Sequence, residues 1–169
     1  AAFYHLYARI LFDLDREMEA IGFLGVANSW NPTDAAIMFD ICYFYKEKKV
    51  ADRLLFLAQW MMHFVFDKES IGDGLRLVGY GYFLNGKYER AYACYYESLR
   101  YGGDTHGSSA EIKAILQAMN VHDTYDISKR ELNELFLGEK FVPGPSIQGF
   151  NTLKSTAKKM YEAEEYADA

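Results

Sequence analysis

Apolar positions recur at helical spacing along most of the chain, most clearly over residues 75–99, LRLVGYGYFLNGKYERAYACYYESL. Leu75, Val78, Gly79 and Tyr82 fall at i, i+3, i+4 and i+7, one stripe of a helix. After the turn Asn85-Gly86-Lys87, a second stripe of Tyr88, Ala91, Tyr95 and Ser98 follows. A glycine inside a helix costs about 1 kcal/mol against alanine. Gly79 and Ala91 therefore predict a close crossing, since axes approach to about 8–10 Å only where contact side chains are small. Residues 1–32 follow the same plan. Tyr4, Tyr7, Ala8 and Leu11 form the first stripe, Leu14-Asp15 the turn, and Ala20, Leu24 and Ala27 the second stripe, with Pro32 as the stop.

Between these two stretches the pattern is less regular. Asn31-Pro32-Thr33-Asp34 is a turn and N-cap cluster. Ile37, Ile41 and Phe44 suit one face of a helix over about 33–46, with Lys46-Glu47-Lys48-Lys49 as the turn. Val50, Leu54, Leu57 and Trp60 continue as a second helix in a phase that sets Val50 in the slot of Tyr88 and Arg53 in that of Ala91. An alternative phase puts Ala51 and Ala58 at the small positions and shortens the unit; the first is preferred because it keeps Val50 in register. The apolar run 60–66, WMMHFVF, extends this helix and is either buried on several sides or an exposed patch. Further on, Ser108-x-x-Glu111 and Ser128-x-x-Glu131 read as capping boxes opening two short helices. Residues 141–149, with Pro143 and Pro145, read as a loop. A last helix over about 150–166 carries Leu153, Ala157, Met160 and Tyr161 on one side.

The series Leu75-x2-Val78-Gly79-x2-Tyr82 followed by Ala91-x3-Tyr95 resembles the tetratricopeptide repeat, and the resemblance covers residues 1 to about 103. Glu17 stands where the family has an aromatic, with Met18 beside it. The resemblance implies an all-α fold: one domain over 1–169, built of antiparallel helix hairpins stacked as a right-handed superhelix. Its units would be about 1–32, 33–68 and 69–103, with a degenerate helical pair over 107–138 and the helix over about 150–166 as a polar cap. It implies a concave face lined by the first helix of each pair, and a non-catalytic adaptor or scaffold that binds a peptide or helix of a partner protein there. One step round from the core stripes lie His5, Arg9 and Phe12, then Met38, Cys42 and Tyr45, then Arg76, Tyr80 and Phe83, each at i, i+4, i+7. Phe12, Met38 and Phe83 fit packing between units as well as they fit binding. The candidate partner-binding residues are His5, Arg9, Phe12, Tyr45, Arg76, Tyr80 and Phe83. Relatives that clamp the acidic C-terminus of heat-shock chaperones carry paired Lys and Asn on this face, whereas Arg9, Cys42 and Tyr80 stand here. The alternative is a ligand- or peptide-sensing regulatory domain. A deep closed pocket near Tyr45, Arg76 and Tyr80 would favour sensing, an open groove the scaffold.

Composition narrows the partner classes. A formal charge of −6 with no basic run argues against nucleic acid. No apolar stretch nears the roughly 20 residues a membrane helix needs, so no membrane insertion is expected. The chain opens without Met, directly on a helical pattern, as an excised or processed piece would, and its first residues lack signal-peptide features. Cys42 and Cys94 lie within helical stripes, which predicts buried free thiols and a reducing, cytoplasmic setting. His5, His63, His106 and His122 fall in no metal-ligand spacing, so neither metal nor cofactor is expected. Gly79-Tyr80-Gly81 lies inside a helix and cannot cradle phosphate. With no nucleophile motif either, the expectation is a protein that is not an enzyme.

Overall fold

The computed structural model describes residues 1–102, 108–121 and 127–137, and beyond these residues 139, 141, 144, 147, 150, 151, 154, 155, 158, 159 and 161. Among the described residues the fold is all-α, with no strand. The helices are α1 (Ala2–Asp13), α2 (Glu17–Trp30), α3 (Ala35–Glu47), α4 (Ala51–Met61), α5 (Lys68–Leu84), α6 (Tyr88–Gly102), α7 (Ser108–Ala118) and α8 (Lys129–Phe136). Side chains at the starts satisfy helix N–H groups that have no partner within the helix. The Asp34 carboxylate accepts from the Ala36 and Ile37 N–H groups at 3.1 and 3.4 Å. Asp67 accepts from Ser70 at 2.8 Å. Ser128 and Glu131 form the expected reciprocal capping box at 3.2 and 2.9 Å. The box expected at Ser108 has its serine side chain outside the described residues.

One turn recurs four times. The C=O of Leu11, Tyr45, Tyr82 and Leu116 accepts from the N–H five residues on, that of Arg16, Val50, Lys87 and Val121, at 2.9, 3.0, 2.9 and 3.0 Å. Just before each donor sits a residue of positive φ: Asp15 at 56°, Lys49 at 53°, Gly86 at 69° and Asn120 at 57°. This is the Schellman closure of a helix C-terminus, in which a left-handed residue lets the chain turn back on its last carbonyls. The four residues follow one another at spacings of 34, 37 and 34.

That turn corrects the register of the second unit. Lys49 matches Asp15 and Gly86, so Val50 matches Lys87, not Tyr88. Leu54 then falls at the contact, with Ala58 and Met61 below it, all fully buried, while Arg53 is exposed. The run over 60–66 does not continue the helix either. α4 ends at Met61, and the chain turns with Met62, Phe64 and Val65 buried and Trp60 and Phe66 left partly outside.

Each helix from α1 to α6 packs on the next; α3 also reaches α5, and α8 lies on α6. A first core joins Ala8, Leu11, Ala20, Leu24, Ala27, Ile37 and Ile41, as the stripes of residues 1–32 predict, although Tyr7 stays at the surface against Phe23. A second core runs from Met38 to Phe141, and Tyr45 and Leu57 touch both. The tightest crossings flank α5. A Cβ on Gly79 would lie 2.9 Å from the Tyr95 ring and 3.1 Å from the Cys94 Cβ on α6. One on Gly81 would lie 3.0–3.2 Å from the Leu55 Cβ, Cα and N on α4.

A buried polar knot closes the far side. The Glu139 carboxylate accepts from the Tyr82 hydroxyl and pairs with Arg90, and the Gln59 amide donates to it at 3.1 Å and to the Tyr82 hydroxyl at 2.9 Å. Of the helix expected over 150–166, residues 150, 151, 154, 155, 158, 159 and 161 are helical and exposed. Leu153, Ala157 and Met160 lie outside the described residues, as do His106 and His122.

Two sets of variants test this fold by thermal melting. Gly81→Ala and Gly79→Ala should each lower stability by about 1–3 kcal/mol, because the atoms in the way are helix backbone or a buried ring. Gly25→Ala, with open space around it, should instead raise stability by about 0.5–1 kcal/mol. At the turns, Gly86→Ala should lower stability by about 1–2 kcal/mol from left-handed backbone strain alone, and Lys49→Gly should raise it. Equal melting temperatures for Gly81→Ala and Gly25→Ala would contradict the close α4–α5 crossing.

Candidate functional site

α1, α3, α5 and α7 present a row of polar and aromatic side chains that the two cores leave uncovered. On α1, His5 is largely shielded and shares a 2.7 Å hydrogen bond with Asp40 of α3. Arg9 is exposed one turn later, and Phe12 packs on Phe44 with ring centroids 6.2 Å apart. On α5, Arg76 pairs with Asp73 and is mostly buried, while Tyr80 stacks on Phe83 at 6.2 Å. Of the predicted residues Arg9 is exposed, Phe12, Tyr80 and Phe83 are partly buried against the cores, and Arg76 and His5 are largely shielded.

The α3 part of the prediction is off by one residue. Met38 and Cys42 are buried, and Tyr45 is wedged between the two cores. The ridge that faces out is Phe39, Tyr43 and Lys46, again at i, i+4, i+7, with Asp40 beside it. The register shift of the second unit causes this error. Aligning Lys48-Lys49 with Leu14-Asp15 would have exposed Tyr43 and Lys46 from the sequence. Glu111 on α7 was also missed.

Lys46 ties the row together. Its ammonium lies 5.3 Å from the Tyr80 ring centroid, 6.0 Å from that of Tyr43 and 3.8 Å from the Glu111 carboxylate, joining α3 to α5 and α7. Partial burial, assisted by the negative charge of Asp73, raises the Tyr43 hydroxyl pKa, so this tyrosine is neutral at pH 7 and offers a hydroxyl donor. Between α1 and α3 the surface dips into a cavity of about 280 Å³, walled by Phe12, Tyr43 and Phe44 and rimmed by Arg9, Asp13 and Glu47. The rim residues are exposed, so the cavity is a notch in an open face.

Among the described residues no group of three His, Cys, Asp or Glu side chains could hold a metal ion. None of the described helices is long and apolar enough to cross a membrane. Cys42 and Cys94 are free and buried; burial pushes the Cys42 thiol up to about 12 and raises Cys94 as well, which keeps both protonated and poorly nucleophilic. No family model, curated protein or solved structure matches the chain.

The thiols give a measurable signature. Iodoacetamide at pH 8 should leave both unmodified in the folded chain and label both in guanidinium. Each raised group holds its proton more tightly folded than unfolded, so its contribution is complete below the unfolded value of 9.0 and declines above it, for Cys42 until about 12. The melting temperature should accordingly fall as pH increases above about 9. A flat profile from pH 8 to 11 would contradict the burial of Cys42.

Proposed function

We propose that this chain is a tetratricopeptide-like helical repeat module whose uncovered face is a concave groove for a peptide or helix of a partner protein. In this reading it is an adaptor or scaffold in the cytoplasm and performs no catalysis itself. The observation that carries it is the side-chain row on α1, α3, α5 and α7, the first helix of each hairpin, bridged by His5–Asp40 and by Lys46. Four equivalent turns spaced 34, 37 and 34 residues apart support the repeat, since the family's period is about 34 residues. Stacked with a constant small rotation, hairpins of this kind curve into a superhelix with the first helices inside. Exposed Tyr and Arg are the residue types that dominate protein interfaces. The notch is open to the surface, and its lining includes none of Tyr45, Arg76 and Tyr80, which favours a scaffold over a ligand sensor.

Partners captured from native lysate and identified by mass spectrometry should, when mixed with the purified chain, protect α1, α3 and α5 from hydrogen exchange. The double variant Tyr43→Ala, Tyr80→Ala should weaken such a complex by at least about 2 kcal/mol, or roughly thirty-fold, with little change in melting temperature. Full affinity in the folded double variant, or protection confined to α2, α4 and α6, would move the binding site off this face.

A further inference from the structure

We infer that the notch between α1 and α3 seats a cationic side chain, a lysine or arginine of the partner's peptide. This rests on the groove reading above and names the chemistry of its occupant. The charges around the notch are four carboxylates, Asp13, Glu17, Asp40 and Glu47, against the two cations Arg9 and Lys48. Lys48 is already paired with Glu17, and Asp40 is hydrogen-bonded to His5, which leaves Asp13 and Glu47 against Arg9 at the rim and the opening with an excess of negative charge.

Their positions matter more than their number. Asp13 is the last residue of α1 and Glu47 the last of α3. The C-terminal end of a helix bears partial negative charge, and an acidic side chain there adds repulsion. Two carboxylates placed at such ends line one small cavity. The arrangement is unfavourable for the isolated fold and favourable for a bound cation.

The face also shows how a cation is held. Lys46 lies over Tyr80 with Glu111 behind its ammonium, and Lys48 lies 5.9 Å from the Phe44 ring centroid while paired with Glu17. In both, an aromatic face and a carboxylate share one ammonium. The notch offers the same components unfilled: the rings of Phe12 and Tyr43 with Asp13 and Glu47 at the rim. Its volume of about 280 Å³ admits one long side chain while the peptide backbone runs along the exposed face past Arg9, whose guanidinium can donate to backbone carbonyls.

Titration of the isotope-labelled chain with a capped Gly-Arg-Gly peptide, followed by amide NMR, tests this without a known partner. The expected result is a saturable shift confined to amides around Phe12, Asp13, Tyr43 and Glu47 at millimolar peptide. It should vanish for the citrulline and glutamate counterparts and weaken with salt. In the variant Asp13→Asn, Glu47→Gln the dissociation constant should rise by at least about five-fold while the melting temperature holds or increases, because two repulsive carboxylates leave helix C-termini. A lower melting temperature would mark the two acids as structural and overturn the inference. Equal binding of the citrulline peptide, shifts scattered over the acidic surface, or no saturable shift would overturn it too. If a captured partner still protects α1 and α3 from exchange in those cases, the groove reading stands and only the cation seat falls; protection elsewhere would remove the groove itself.

Discussion

The constraint on which the rest depends is the pair of close crossings on either side of α5. Gly79 opens one side to Tyr95 and Cys94, and Gly81 opens the other to the backbone at Leu55. At about 100° per residue these two glycines stand roughly 200° apart on the helix, and Tyr80 lies midway between them. Closing both contacts therefore fixes the rotation of α5 about its own axis. Asp73, Arg76, Tyr80 and Phe83 inherit their direction from that rotation, and Lys46 of α3 finds Tyr80 because of it. Two residues without side chains thus orient the face that carries Tyr80.

On that face the electrostatics are graded. Around α5, charge is neutralised locally, by Asp73 on Arg76 and by Glu111 on Lys46. Toward α1 and the end of α3, carboxylates outnumber cations, and helix carbonyl ends deepen the negative potential. The face thus runs from aromatic, near-neutral surface at one end to an acidic notch at the other.

What the sequence disclosed followed small residues at helical spacing. Ala8, Ala20 and Ala27 mark the contact stripe with Leu11 and Leu24 although apolar Ile10, Phe12, Phe23 and Val26 stand beside them, and all five are buried. Leu75, Val78, Gly79, Tyr82, Ala91 and Tyr95 were placed on the same grounds. In α3, by contrast, apolar or aromatic residues fill every position from Ile37 to Tyr45 except Asp40, so two adjacent stripes fit equally well. The turn that decides between them is hard to recognise, because its left-handed residue is Asp15 or Lys49 in the first two units. Only at Gly86 and Asn120 does a residue suited to that conformation mark it. One misplaced residue then put Met38, Cys42 and Tyr45 where Phe39, Tyr43 and Lys46 lie nearer the surface. Glu111 escaped notice for a different reason: it meets Lys46 from a distant helix, and periodicity within a helix says nothing about such contacts.

The knot at Glu139 gives the stack a property that helix hairpins alone lack. In a purely sequential array each unit touches its neighbours, and melting can begin at one end and travel inward. Here a single carboxylate reaches back 49 residues to Arg90, 57 to Tyr82 and 80 to Gln59. Peeling residue 139 away would strand a buried Tyr82 hydroxyl and undo contacts on α4, α5 and α6 at once. Residue 139 is therefore tied to the middle of the chain, and α5, which bears both Tyr80 and Arg76, shares one polar cluster with α4 and α6, so that loosening this carboxylate disturbs three helices together.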